Sequence, residues 1–269
     1  MALKVGNIME IMEMFAPLKL KEDYDNVGLM VGNPECEVTS ILIALDCTLK
    51  VIEEAKKVGC NFILTHHPLL FNKPSNITTE SLLGKKIIQL IKNDISLYSS
   101  HTNLDSTRDG INDLVMRLLD FNDYDIIEIN ANAEDKKCGI GRIVTLNSEI
   151  TLENLCEKVK EAFDIASLRY VGEDKKGIRR VAVINGSGND FLWKAKRLGA
   201  DCIITGDTTY HYVSDLNEEG LTVIDAGHFS TEWPGMKIVG KWLENRIRFM
   251  GYSNKIIISR ETVSPYKYK

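Results

Sequence analysis

AKKVGCNFILTHH (55–67) and AKRLGADCIITGD (195–207) are two versions of one pattern. They share Ala, Lys, Gly, Ile and Thr and differ conservatively at Lys57/Arg197, Val58/Leu198, Asn61/Asp201 and Leu64/Ile204. Extended upstream, segments 41–67 and 181–207 align without a gap at a constant offset of 140, so that ILIAL (41–45) lies over VAVIN (181–185). In the first copy the apolar run ILIALD (41–46) reads as a buried strand. TLKVIEEAKKVG (48–59) reads as a helix with Thr48 as N-cap and Gly59 as C-cap, and NFILTHH (61–67) as a second buried strand. Strand, helix and strand in so short a span force parallel pairing and place the second strand's C-terminal end where α/β sheets bind ligands.

Any two βαβ units satisfy the same hydrophobic template, so duplication needs support from outside that template. It comes from the strand and polar cluster located after each copy. SLYSSHTNLD (96–105) ends in His101-x-x-x-Asp105, and TVIDAGHFSTE (222–232) ends in His228-x-x-x-Glu232. The expected fold class is therefore α/β, built as two similar lobes with mixed sheets flanked by helices. The expected division is a first lobe over 1–120 and a connection plus second lobe over 121–269. Ahead of the first copy, Ile8, Ile11, Met12 and Phe15 mark an amphipathic helix with Asn7 as N-cap and Pro17 as terminator, and YDNVGLMVGNP (24–34) reads as a turn-rich loop. Between the copies, GIGR (139–142) reads as a loop and TLENLCEKVKEAF (151–163) as a helix.

Composition narrows the function. The chain has 269 residues, enough for one large domain or two small ones, and 33 basic against 38 acidic side chains leave a formal charge of −5. That field does not attract polyanions, which disfavours a nucleic-acid partner. No apolar run approaches the ~18–20 residues of a membrane span, and the start MALKVGNIMEIMEMFAP lacks a basic leader, so a cytoplasmic location without a membrane partner is expected. The six cysteines form no CxxC pair and read as reduced, mostly buried small hydrophobes.

His66, His67, His101 and His228 stand at or just beyond the ends of expected strands, with Asp105 and Glu232 four residues after the last two. Imidazole and carboxylate donors without thiolates suit zinc, manganese, iron or nickel. Two adjacent histidines at a strand end can address two metal ions separately, and a carboxylate such as Glu232 or Asp105 could bridge ions ~3.5–4 Å apart. A THH turn alone is more often a solvent-exposed turn or cap, and HxxxD alone is a common surface pair. Convergence of all these residues on strand ends of a duplicated unit is what points to metal binding. Gly186-Ser187-Gly188 reads either as a phosphate-receiving turn or as a tight strand-to-helix turn. Tyr210-His211 reads as a substrate contact or as filler between the lobes.

THHPLLF (65–71), HTNLDS (101–106), TGDTTYH (205–211) and GHFSTEWPGM (227–236), with YDNVGLMVG (24–32), resemble the motifs of the GTP cyclohydrolase I type 2 family, also called the NGG-one-interacting-factor-three-like family. The resemblance spans nearly the whole chain. It implies two lobes related by pseudo-two-fold symmetry with the metal site between them, and a ring-shaped homohexamer. The 75 residues over 106–180 leave no room for the extra domain of longer members, so the short form is expected. It also implies a centre of two divalent metal ions per chain, with His66, His67, Asp105, His228 and Glu232 as ligands and Glu232 touching both ions, while His101 is an acid/base candidate facing the same cleft.

Hydrolysis is the reaction class that such ions favour, because they lower the pKa of bound water beside a polarised electrophile. If the family name applies, the small-molecule substrate is GTP. Its guanine C8 is then attacked and formate is released, with His101 or His211 moving protons. Two other readings stand beside this one: a hydrolase of another small anionic metabolite, and a metal-loaded ring without turnover. Apolar residues of KIIISRETVSPY (255–266) and of the WKAKRLG helix (193–199) are candidate contacts for a ring.

Overall fold

The computed structural model describes residues 2–267. In chain order its elements are α1 (Val5–Phe15), β1 (Gly28–Val31), β2 (Ser40–Ala44), α2 (Leu49–Val58), β3 (Phe62–Thr65), α3 (Leu82–Lys92), β4 (Ser96–Ser99) and α4 (Thr102–Ser106). Next come α5 (Ile111–Leu118), β5 (Asp125–Ile129), β6 (Gly139–Thr151), α6 (Leu152–Phe163), β7 (Arg169–Val171), β8 (Gly177–Ser187), α7 (Asn189–Arg197) and β9 (Cys202–Gly206). The chain ends with α8 (Tyr210–Glu218), β10 (Thr222–Asp225), α9 (His228–Phe249) and β11 (Lys255–Ile258). The fold is α/β with two mixed sheets flanked by helices, as the repeat implied.

One sheet has the order β1-β4-β3-β2-β11 and the other β5-β6-β8-β9-β10-β7. Each contains a parallel trio, β2-β3-β4 and β8-β9-β10, closed on one side by an antiparallel edge strand, β1 on β4 and β7 on β10. The offset seen in the sequence is also a register. Ile41, Leu42 and Ile43 pair with Phe62, Ile63 and Leu64, while Val181, Ala182 and Val183 pair with Cys202, Ile203 and Ile204. The cores repeat position by position: Leu42/Ala182, Ile52/Leu192, Ala55/Ala195 and Ile63/Ile203 at that offset, then Leu90/Leu216, Ile95/Leu221 and Leu97/Val223 at a second constant spacing. The spacing changes because the β3–α3 connection is longer than the β9–α8 connection. Thr48 caps α2 by accepting from the Val51 amide, and Gly59 ends it at φ 73°.

Several sequence expectations change. The chain divides into two compact units, residues 1–107 with 236–263 and residues 108–235 with 264–269, in place of one break at 120. The reason lies in the C-terminal segment. KIII is β11 and pairs in parallel with β2 as an edge strand of the first unit's sheet, which ties this segment to that unit. Buried Glu54 on α2 anchors the chain just beyond β11, accepting from the Ser259 hydroxyl at 2.5 Å and the Arg260 amide at 2.8 Å. Helix α9 accordingly starts in the second unit and continues in the first, and the boundary falls just after Pro234, whose missing N–H removes one helical hydrogen bond. The stretch 121–180 is more than a connection, because β5, β6, α6 and β7 all belong to the second unit and its sheet. GIGR opens β6 and is not a loop. Asn7 is not the N-cap of α1 but its third helical residue, and its side chain accepts from the backbone of Lys4, the actual N-cap.

The cysteines are free thiols. Burial pushes Cys47 up to about 12 and Cys156 to about 11, so these behave as packing residues without nucleophilic character. The heaviest buried charge in the second unit is Arg142 of β6, which donates to Asp113 of α5 and to the carbonyls of Gly139 and Gly141. Asp113→Ala leaves that guanidinium buried without its counter-charge, so urea unfolding is expected to show a loss of about 3–5 kcal/mol. Pairing it with Arg142→Met removes both charges, and the double variant is expected to be more stable than Asp113→Ala alone.

Candidate metal centre

In the first unit, β3 and β4 end side by side, Thr65 opposite Ser99, and the chain beyond them carries His66, His67 and His101. One ring nitrogen from each lies within 4.8 Å of the other two, and the ring centroids are 5.1–5.6 Å apart. His66 is fully buried, and its Nε2 is 3.7 Å from Asp105 Oδ2 on α4, so the HxxxD motif closes back on the THH motif.

The Nδ1 atoms fix what these rings can do. His66 Nδ1 lies 2.9 Å from the Ser100 carbonyl, His67 Nδ1 2.8 Å from Asp46 Oδ1, and His101 Nδ1 3.0 Å from Asp25 Oδ1. Each acceptor is a carbonyl or a carboxylate, so each Nδ1 carries the proton and donates it. Nε2 then keeps the lone pair, the arrangement a metal-ligating histidine requires.

Asp25 is the most deeply embedded of these acceptors. Its Oδ2 accepts from the Thr102 amide at 3.1 Å and the Thr102 hydroxyl at 2.6 Å, and its Oδ1 also accepts from the Asn26 amide at 2.8 Å. Burial opposes ionisation of this carboxyl, but the hydrogen bonds and charge of His101 and the two bonds from Thr102 prevail. Together they hold it well below the usual carboxylate range.

In the second unit the corresponding donors are His228 and Glu232 in the first turn of α9. His228 Nε2 is 3.0 Å from Glu232 Oε2, and His228 Nδ1 is 2.9 Å from Asp207 Oδ2, the same anchoring used in the first unit. Two glycines make room for them. A Cβ on Gly186, at φ 58°, would sit 2.1 Å from Glu232 Oε1, and one on Gly206 would sit 2.5 Å from the His228 amide nitrogen. Thr231 pins the turn, accepting from the Gly186 amide at 3.0 Å. The Gly186-Ser187-Gly188 stretch is thus the end of β8 packed against the α9 turn, and its first amide serves that packing.

Of the residues expected from sequence, His66, His67, His101 and Asp105 are brought together in the first unit, and His228 with Glu232 in the second. By geometry His101 qualifies as a ligand as fully as His66 and His67 do. His211 is exposed on α8 with its ring edge-on to Tyr210, 5.4 Å between centroids. The anchors Asp25, Asp46 and Asp207 were missed. The repeat carried a signal for two of them: Asp207 is the aligned counterpart of His67, and Asp46 follows β2 where Gly186 follows its counterpart in β8. Asp25 stood in the YDN motif with no chemistry assigned to it.

The donor set fits a divalent cation: neutral imidazoles with defined tautomers, and carboxylates at the two motif ends. The chain matches the Duf34/NIF3 (NGG1p interacting factor 3) family over residues 3–265 and belongs to it. A Clostridium acetobutylicum protein called a GTP cyclohydrolase 1 type 2 homolog is 55% identical over 269 residues, the full length of both chains. A Staphylococcus aureus hypothetical protein has a similar crystal structure, with TM-score 0.90 and 29% identity over 100% of both chains. Reduced HcgD from Methanocaldococcus jannaschii matches with TM-score 0.82 and 33% identity, covering 96% of this chain and 98% of its own. No helix among the described residues is long and apolar enough to cross a membrane.

Both oxygens of Asp25 accept a backbone N–H, so no orientation of an amide in its place satisfies both. Asp25→Asn is therefore expected to lower the stability of chelator-treated protein by about 1–3 kcal/mol in urea unfolding, although it is isosteric.

Proposed function

We propose that the protein is a dinuclear metal-dependent hydrolase acting on GTP in the cytoplasm, opening the imidazole ring of guanine with release of formate. The observation that carries the reading is that His66, His67 and His101 are each tied at Nδ1 to an oxygen acceptor, which leaves their Nε2 lone pairs for a cation, while His228, tied at Nδ1 to Asp207, brings its Nε2 against the Glu232 carboxylate. The name shared by the relatives supports GTP as the substrate. The proposed ligands are His66, His67, Asp105, His228 and Glu232, and the assembly is a homohexamer.

When bound, two divalent ions supply Lewis acidity and a water nucleophile at neutral pH. The chain's own residues do the rest. Glu232, buried in the α9 turn beside Gly186, would help hold the ions through its carboxylate. His101 is the proton carrier: Asp25 holds its Nδ1–H and stabilises the imidazolium formed when Nε2 takes a proton, so the ring can accept and return one without reorienting. The exposed His211 is a second candidate for proton transfer nearer solvent.

Elemental analysis of the purified protein is expected to give about two transition-metal equivalents per chain. Glu232→Gln is expected to lower occupancy of both, and Asp105→Asn mainly of one. Incubation with GTP is expected to release formate and not phosphate, and Glu232→Gln should abolish it. Wild type that takes up no metal after reconstitution with manganese, zinc or iron would overturn the reading.

A further inference from the structure

The duplication leaves an equivalent groove in each unit, between the antiparallel edge strand and the helix that precedes the third parallel strand. The first, between β1 and α3, encloses about 500 Å3 and the second, between β7 and α8, about 480 Å3. Because the two descend from one pattern, each serves as a control for the other. The first is lined by Met30, Val31, Ile87, Leu90 and Ile91, and the long β3–α3 connection adds Leu70, Pro74 and Ile77 to the lining. Its lining also includes the polar Asn33, Asp94 and Ser96, but no tyrosine and no arginine.

In the second groove the lining has changed chemistry while the floor has not. Val213 stands where α3 has Ile87, and Val223 where β4 has Leu97, so the floor stays apolar. Asn217 replaces Ile91, and Tyr210 replaces Gly84, a position that in the first unit is closed by Thr78 of the longer connection. The short β9–α8 connection has no such cover. Tyr210 is 79% exposed, a poor arrangement for a tyrosine with no ligand to cover its ring.

Arg169 completes the wall. Its guanidinium donates to Asp225, a 5%-exposed carboxylate that also accepts from the amide and hydroxyl of Thr208 and from the Gly227 amide. That network holds one guanidinium donor of a side chain that is otherwise 71% exposed, and leaves the others of the five for a ligand. It is also continuous with the candidate centre of the same unit. Thr208 follows Asp207, which anchors His228, and Gly227 precedes His228.

We propose that the β7–α8 groove is the recognition pocket for the planar heteroaromatic ring of an anionic substrate, with Tyr210 as the ring face and Arg169 as the anion partner. Apolar walls with a few convergent polar groups in a cavity of this size are what such ligands occupy. Stacking on tyrosine and on a held guanidinium selects a flat π-system, and Ser214, Asn217 and Thr208 supply hydrogen-bonding groups for its edge. The inference rests on the hydrolase reading for the choice of a nucleotide, and it adds where the base sits.

The test is equilibrium binding of two probes, GTP and inorganic triphosphate, to the metal-loaded protein and its Tyr210→Ala and Arg169→Gln variants. An Ile77→Ala variant in the other groove is the control. Tyr210→Ala is expected to weaken GTP by about tenfold and leave triphosphate unchanged, the signature of lost base stacking. Arg169→Gln is expected to weaken both, and Ile77→Ala neither. Unchanged GTP affinity in Tyr210→Ala, equal weakening of the two probes in that variant, or no GTP binding by wild type would overturn the pocket. The outcome is separable from the proposed reaction. Base-dependent binding without formate release leaves the pocket standing and removes the chemistry, whereas formate release with a wild-type KM in Tyr210→Ala does the reverse.

Discussion

A buried imidazole has two nitrogens of opposite character, and whichever is tied to a fixed acceptor determines what the other can do. For His66, His67, His101 and His228 the tie is at Nδ1, and His228 also meets Glu232 with its Nε2. The acceptors differ in depth: a carbonyl for fully buried His66, a side chain without solvent exposure for His101, and partly exposed carboxylates for His67 and His228. The rings that lie deepest have the acceptors least able to move. This constraint depends on the sheet, because Ser100 continues β4, Asp46 follows β2 and Asp207 follows β9. Parallel strands end together, so the groups that donate and the groups that orient them leave the sheet at the same edge. An antiparallel sheet of the same sequence content would send alternate strand ends to opposite sides.

Much of this was legible without coordinates, because the evidence was periodic. The offset that aligns AKKVGCNFILTHH with AKRLGADCIITGD reappears as strand register, and Thr48 and Gly59 cap α2 as their residue types require. The strand-end histidines were visible for the same reason. What stayed hidden depends on contacts far apart in sequence. Nothing local in KIII says that it will pair with β2, a partner more than 200 residues away, when its apolar run fits a surface contact equally well. GIGR has the composition of a turn, but β5 on one side and β8 on the other supply its hydrogen bonds, and tertiary pairing overrides the glycines. Asn7 looks like a cap by type. The chain had already turned helical two residues earlier, and Asn7 serves the cap from the third position. Asp25 carries no periodic signal, and Asp46 shows in the repeat only as the place where the second copy has Gly186, since a carboxylate that orients a ring is recognised only from the ring.

The two copies diverge where chemistry and packing make different demands. Core positions have kept apolar identity pair by pair, because a change of one methylene is felt throughout a close-packed interior. Strand ends bear no such load. There the first copy places Asp46 after its first strand and His66-His67 after its second, while the second copy places Gly186 and Gly206-Asp207 at the aligned positions. The exchange is not a loss of function in one copy. Side chains at Gly186 and Gly206 would occupy the space of Glu232 and His228, so removing the strand-end donors is what admits donors from a helix instead. Asp207 stands in the place of His67 but serves differently, holding the Nδ1 of His228. A duplicated fold can in this way offer imidazoles from a strand end in one unit and from a helix turn in the other, with each ring held by the same hydrogen bond. The β7–α8 groove obeys the same logic one layer out: its floor keeps the apolar character of the core, and its rim, freed of the long connection, carries the arginine and tyrosines that the β1–α3 groove lacks.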